Sequence, residues 1–288
     1  TDTQILFYND DHLTEAGLPA GQYPATWEEL DEYGDKLDIV SDDDETFERV
    51  GFYPLIGADT PVWITNALGQ NYVTENREIS IDVPDVKETF DWILSTQSKY
   101  GKKQLDSINS QFENAQQDPF MAGSLSMMVQ NANYYVELRD YADDLNFKVA
   151  PIPEKEPGNG HTSVGGGFVA EVPKGAANPE ASYKFIEFLT NHDSQLYWAE
   201  NNFDLVAHKE AGEDAANSEE FNKKDQEVYN MMIENKNDTI LTPQPSGAPD
   251  YINSINPIFE GIVAGSKNTD DGISEAQTEL ERLMEIEK

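Results

Sequence analysis

Apolar positions along the chain follow two rhythms. In "ATWEELDEYGDKL", Trp27, Leu30, Tyr33 and Leu37 recur every three or four residues and share one helix face. Thr26 precedes the run and Glu29 stands three places on, a capping-box signature for a helix start. "VPDVKETFDWILSTQSKYG" repeats the rhythm with Val86, Phe90, Ile93 and Leu94 inward, and Pro84 sits near the first helical position, where its missing N–H is no loss. Asn178 and Pro179 open another helix, predicted to bury Phe185, Ile186, Phe188 and Leu189. Helical stretches are expected near 217–236 and 250–264. A last helix is expected with Ser274 as N-cap, Gln277 closing a box, and Leu280, Leu283 and Met284 inside. Between the helices, short and mostly apolar runs read as strands at 5–8, 125–129, 168–172 and in "FKVAPIP", the second of them buried. A helix from about Ser110 and a turn near Gly123 precede the second of these. Strands and helices alternate, which predicts an α/β fold.

One strand start breaks the pattern. In "SVGGGFVAEVPKG", Gly165, Gly166 and Gly167 run straight into apolar residues. Glycine in a strand loses entropy and packs nothing, so either the backbone bends there or something approaches it closely. The stretch lacks the spacing of a dinucleotide fingerprint, and no Gly-Lys-Ser/Thr follows it.

Charge narrows the partners. The 288 residues include 55 acidic and 19 basic ones, a net charge of -36, spread along the chain rather than gathered in a tail. Such a surface repels nucleic-acid phosphates and anionic lipid, so no nucleic-acid partner is expected. It suits concentrated salt, where charges are screened beyond about 3 Å at 1 M, and reads as halophilic. The absence of cysteine excludes disulfides, thiolate metal sites and cysteine nucleophiles. No apolar run of about 18 residues is present, and the N-terminal "TDTQILFYNDD" has neither the basic region nor the apolar core of a signal peptide. His12, His161, His192 and His208 have no metal-ligand spacing and read as surface histidines. The "DDDE" run at 42–45 lacks the alternation and central glycine of a calcium loop and reads as solvated. Paired carboxylates for glycoside hydrolysis carry no signal where acidic residues are this numerous. No catalytic residue, metal or cofactor is indicated.

Several segments, in order, resemble family 1 extracellular solute-binding proteins, the sugar-capturing subunits of ABC importers typified by maltose-binding protein. They are "ILFYNDDHLTEAGLPAGQYPATWEELDEYGDKL", "DPFMAGSLSMMVQNANYYVELRD", "FKVAPIPEKEPGNGHTSVGGGFVAEVPKGAANPEASYKFIEFLTNHDSQLYWAE", "NNFDLVAHKEA" and "PIFEGIVAGSKNTDDGISEAQTELERL". The resemblance implies a type II periplasmic-binding-protein-like fold, mostly the C-terminal lobe of a two-lobe clamp. Relatives begin with on the order of a hundred further residues, about one small domain, bearing a secretion signal and a first lobe. It divides this chain into a first part of the C-terminal lobe at 1–168, a returning hinge strand and helices at 169–204 that pack on the N-terminal lobe in relatives, and a second part at 205–288. It also implies a sugar or oligosaccharide ligand, ABC permease subunits as partners, a monomer, no enzymatic activity, and an extracellular or cell-surface location with lipid anchoring through a preceding segment. Val206 and Ala207 stand where the family has a proline. Glycerol phosphate or polyamine cargo in the same receptor class, or an extracellular glycoside hydrolase, are the other readings.

A neutral sugar needs aromatic plates for its ring faces and amide or carboxylate groups for its hydroxyls. "GADTPVWITNALGQNY" offers Asp59, Trp63 and Asn66 where relatives line the cleft, though a core tryptophan is the equal alternative for Trp63. Gln130 and Asn131 follow a buried strand, at the end where loops reach a crevice. Asn133, Tyr134 and Tyr135 replace the family's "gpW", with Tyr135 favoured for stacking over a place at the core edge. Gly165, Gly166 and Gly167 would admit a ligand close to the backbone, or be a flexible turn. Tyr251 lies where relatives place another aromatic. Phe168 and Phe203 read as hinge packing rather than contacts.

Overall fold

The computed structural model describes residues 2–19, 21–42, 46–112, 118–245 and 248–285. Three residues of the acidic run at 42–45, and 113–117 of the helix expected after Ser110, lie outside them. Seven strands are present among the described residues: β1 (Gln4–Asn9), β2 (Ile39–Val40), β3 (Phe47–Arg49), β4 (Met127–Asn131), β5 (Phe147–Pro151), β6 (Ser163–Gly165) and β7 (Thr239–Leu241). Twelve helices accompany them: α1 (Asp10–Glu15), α2 (Trp27–Leu37), α3 (Thr60–Leu68), α4 (Pro84–Tyr100), α5 (Lys102–Gln111), α6 (Tyr135–Tyr141), α7 (Pro179–Leu189), α8 (His192–Asn202), α9 (Lys209–Ala216), α10 (Lys223–Asn235), α11 (Tyr251–Val263) and α12 (Thr269–Glu285).

β1 is the middle of a three-stranded antiparallel sheet in the order β4-β1-β5, with Leu6 opposite Val129 on one side and Ala150 on the other. Its unbroken apolar run is explained by burial on both faces. Ile5 and Phe7 pack with Tyr134, Tyr135, Phe147 and Phe203, while Leu6 and Tyr8 pack with Trp27, Trp63 and Ile152. β6 pairs in parallel with β7, and β2 with β3 forms a small antiparallel pair. A third apolar cluster joins α3, α4, α11 and α12 through Ile64, Phe90, Ile255, Phe259 and Leu280.

The start of α2 follows its sequence signal: Glu29 N–H donates to Thr26 Oγ1 at 3.2 Å, and Glu29 Oε2 accepts from Ala25 N at 2.7 Å. α12 does not. It begins five residues before Ser274, where Asn268 Oδ1 accepts from Asp271 N at 2.8 Å and two aspartates occupy the first turn. Carboxylates there complement the helix dipole, so Asn268 outcompetes the later serine. Gln277 turns instead to Glu281.

The stretch 168–202 departs most from expectation. Residues 168–172 form no strand; no neighbouring strand pairs with them among the described residues, and Phe168 and Val169 are fully solvent-exposed. α7 forms where Asn178 and Pro179 place it, yet it buries no residue: Phe185 and Phe188 are 59% exposed, and of its apolar residues only Ile186 is half-covered. α8 touches the body through Ala199, after which Phe203 turns the chain in the left-handed region at φ 56°. That conformation is uncommon for a bulky residue. Ring contacts to Tyr135 at 4.7 Å and Phe221 at 4.8 Å hold it. Phe203 therefore packs in the core rather than facing a ligand, whereas Phe168 is fully exposed.

Candidate functional site

A cavity of about 460 Å³ opens where β1 begins and β4 ends. Its walls come from Asp2, Gln4 at the start of the first strand, the 57–65 loop and first turns of α3, Asn131, the glycine seam at 164–166, and Tyr251 with Ile252 at the start of α11. Antiparallel pairing sets Gln4 directly opposite Asn131 on this edge.

Gly165 answers the question its sequence poses. A β-carbon there would lie 2.2 Å from the Asp2 carbonyl oxygen and 2.7 Å from Thr239 Cγ2. The close approach is by the segment that leads into β1 and by β7. Asp2 N donates to Gly166 O at 3.1 Å, and a buried hydroxyl network through Thr3, Ser163 and Thr239 fixes the seam. Gly166 borders the cavity, whereas Gly167 is exposed and outside it. Gly57 makes a second close approach. With φ at 87°, its missing side chain lets the 57–60 loop lie against Val129 O, which a β-carbon would meet at 2.4 Å.

That loop positions Asp59. Its Oδ1 accepts from Val62 N at 3.2 Å and caps α3. Burial raises the Asp59 carboxyl above its ordinary range, opposed by the Val62 hydrogen bond. On the opposite wall, Tyr72 and Tyr251 meet edge to face at 6.1 Å. Burial pushes the Tyr251 hydroxyl up to about 12 and Tyr72 well above its usual value. Both rings are almost wholly covered, so neither offers an open plate for stacking.

Of the residues expected at the site, the structure gathers Asp59, Asn131, Gly165, Gly166 and Tyr251 around this one cavity. It takes the others elsewhere. Trp63 is fully buried in a cluster with Trp27, Phe52 and Trp92, its Nε1 donating to Pro54 O at 2.7 Å. Asn66 accepts from Trp27 Nε1 at 2.9 Å and donates to Thr162 O at 2.9 Å, both inside the body. α3 explains the division: Val62 and Thr65 face the cavity, while Trp63 and Asn66 lie on its inner face. Tyr134 donates to Asp118 Oδ2 at 2.9 Å and Tyr135 to Asp225 Oδ1 at 2.6 Å, so both rings serve the core. The core alternative holds for Trp63 and for both tyrosines. Gln130 spends its amide oxygen on Asn131 N at 2.8 Å, and Asn133 is exposed beyond the cavity rim.

Asp2, Gln4, Thr65, Asn71, Tyr72 and Thr242 line the cavity without having been singled out. Thr65 was reachable, because it stands three residues from Val62 on the helix face that Asp59 caps. Asp2 and Gln4 were not, since their place depends on the pairing of β1 with β4. Gln4 Oε1 is buried there with no hydrogen-bond partner.

Among the described residues no group of three or more His, Asp or Glu side chains is arranged to hold a metal ion, and no helix is long and apolar enough to cross a membrane.

The fold has known counterparts. CpMnBP1 with mannotriose bound superposes with a TM-score of 0.79 at 25% identity, over 97% of this chain and 71% of that one. Maltose-bound MalE3 of T. maritima gives 0.71 at 19% identity, covering 98% and 71%. UgpB of Mycobacterium tuberculosis in complex with glycerophosphocholine gives 0.67 at 17%, covering 98% and 69%. No curated protein sequence matches. A family profile described as bacterial extracellular solute-binding protein matches residues 1–225. With that match across most of its length, and a type II binding-protein fold around a cavity at its sheet edge, this chain belongs to the bacterial extracellular solute-binding proteins.

Proposed function

We propose that this chain captures a sugar or oligosaccharide outside the cell and delivers it to the permease of an ABC importer. The observation that carries the reading is the cavity at the sheet edge. Gln4, Asn71, Asn131, Asp59, Tyr72 and Tyr251 line together a space large enough for a saccharide unit. The sugars bound by CpMnBP1 and MalE3 support the ligand class. Binding without chemistry is the function assigned, and the match to a solute-binding family supports it.

Residues 169–204 are assigned to a surface that meets a second lobe, with 1–168 and 205–288 forming the lobe that carries the cavity. The exposed apolar face of α7 and the unpaired 168–172 segment support that division. Ligand touching both lobes would favour the closed form by its differential affinity, and the permease would recognise that form. The receptor is assigned as a monomer.

Titrating mannotriose and maltotriose into the chain in molar KCl, followed by amide NMR, tests the reading. Saturable shifts at Asp59, Asn131 and Gly166 are expected with millimolar midpoints, because contacts from one lobe alone are weak. Steady release of reducing ends, or no response to any neutral saccharide, would overturn it.

A further inference from the structure

We propose that this cavity rejects anionic ligands and that Asp59 is the residue that sets the rejection; the inference rests on the sugar-receptor reading above. Among the described residues, no lysine, arginine or histidine lines the cavity, and the carboxylic acids that line it are Asp2 and Asp59. Recognition of a phosphate or carboxylate calls for a cation or free backbone N–H groups. The start of α3 is the natural source of the latter, since a helix N-terminus attracts anions. Asp59 already occupies it. Its Oδ1 takes the Val62 N–H, and its position as N-cap keeps it from swinging aside. A carboxylate built into the wall thus fills the place an anionic ligand would seek. The remaining polar groups are neutral amides, hydroxyls and backbone. The Asp59 residue stays open to solvent on the cavity wall, within reach of an entering ligand. At about 6 Å, repulsion between two unit charges amounts to tenfold or so in affinity at intermediate dielectric.

The test compares β-linked mannobiose with the matching dimannuronate, in which carboxylates replace the C6 hydroxymethyl groups at nearly constant shape. Amide NMR titrations are run on the wild-type chain and on Asp59→Asn, at low salt and in 1 M KCl. Asparagine caps helices as well as aspartate does, so the substitution removes charge and keeps α3 capped. Mannobiose is expected to bind at least about tenfold tighter than dimannuronate at low salt, and Asp59→Asn should cut that ratio several-fold. One charge in 36 leaves the overall field of the protein almost unchanged, so a loss of discrimination in the variant identifies a local cause. Equal affinity for the two disaccharides would overturn the inference while leaving the receptor reading intact. An unchanged ratio in Asp59→Asn would remove Asp59 from the role. Binding of neither disaccharide would sink both readings together.

Discussion

The body of the molecule and the stretch from 168 to 202 use the same kinds of residue to opposite ends. In the body, Trp27, Trp63 and Trp92 interlock with ring centres 4.1–5.6 Å apart, and each indole N–H finds an oxygen. In the returning stretch, Phe185, Phe188, Tyr197 and Trp198 stand 51–67% exposed on two well-formed helices. Helical rhythm places apolar residues on one face in both regions. Whether that face is buried depends on what the rest of the chain brings to it. The contrast teaches that periodicity specifies an element and a face, while the partner of the face is a separate fact.

The largest test of the contrast is a pair of truncations. Trp63→Ala removes a fully buried indole and leaves a cavity among three aromatic rings. It is expected to cost about 4 kcal/mol in urea unfolding, in the range for large core truncations. Phe188→Ala removes a ring that touches little and should stay within about 0.5 kcal/mol. A loss of more than about 1.5 kcal/mol for Phe188→Ala would show that α7 is covered in solution, and the contrast would fail.

The same contrast marks how far the sequence could be read. Helix starts were legible where capping chemistry is local: Thr26 with Glu29, and Pro84 or Pro179 at a first turn. Ser274 misled because Asn268, with two aspartates after it, is the better start by the same local rules. The buried strand 5–8 was legible from its unbroken apolar run. The segment 168–172, apolar except for Glu171, reads the same way, but a strand requires a neighbour, and none pairs with it among the described residues. At the site, Asp59, Asn131, Gly166 and Tyr251 share no local pattern; they meet because β1 pairs with β4 and α11 returns beside α3. Trp63 was ambiguous for a sound reason: one residue's rotation on α3 separates the cavity face from the core.

A second test uses a half-buried histidine of the body. His12 lies against Ser126, with Nδ1 3.0 Å from its Oγ. Burial first, and the Arg49 charge next, lower its pKa to about 4. The unfolded chain takes up that proton near 6.5. Between those values the unfolded state holds more protons, so stability falls as pH drops from about 6.5 to about 4. After allowing for solvent screening, the loss should reach about 2 kcal/mol. Asp31, raised to about 6 mainly by burial, works in the opposite direction by keeping a proton that the unfolded chain releases. The measurement is therefore a difference: His12→Gln should flatten the acid slope of chemical-denaturation stability relative to wild type. Parallel slopes would show that His12 is solvated.

The smallest expected effect comes from a histidine on the other side of the comparison. His192 opens α8, exposed to solvent, with Nε2 2.9 Å from Asp214 Oδ2 and Nδ1 3.2 Å from Asp193 Oδ1. The Asp214 hydrogen bond, then the Asp193 one, raises its pKa. Its sign is opposite to that of His12: any stability it contributes is present below the unfolded value and is lost as pH rises through the folded one. Because the cause is exposed ion pairing, 1 M KCl, with a screening length of about 3 Å, should draw the His192 ring midpoint back toward the ordinary value in an NMR titration. The His12 midpoint should stay low in the same salt, because burial, its largest cause, is not screened. Salt therefore separates the two regions through one residue type. A His192 midpoint indifferent to salt would mean that the α8–α9 joint is shielded from water, and that the returning helices already pack against a surface in solution.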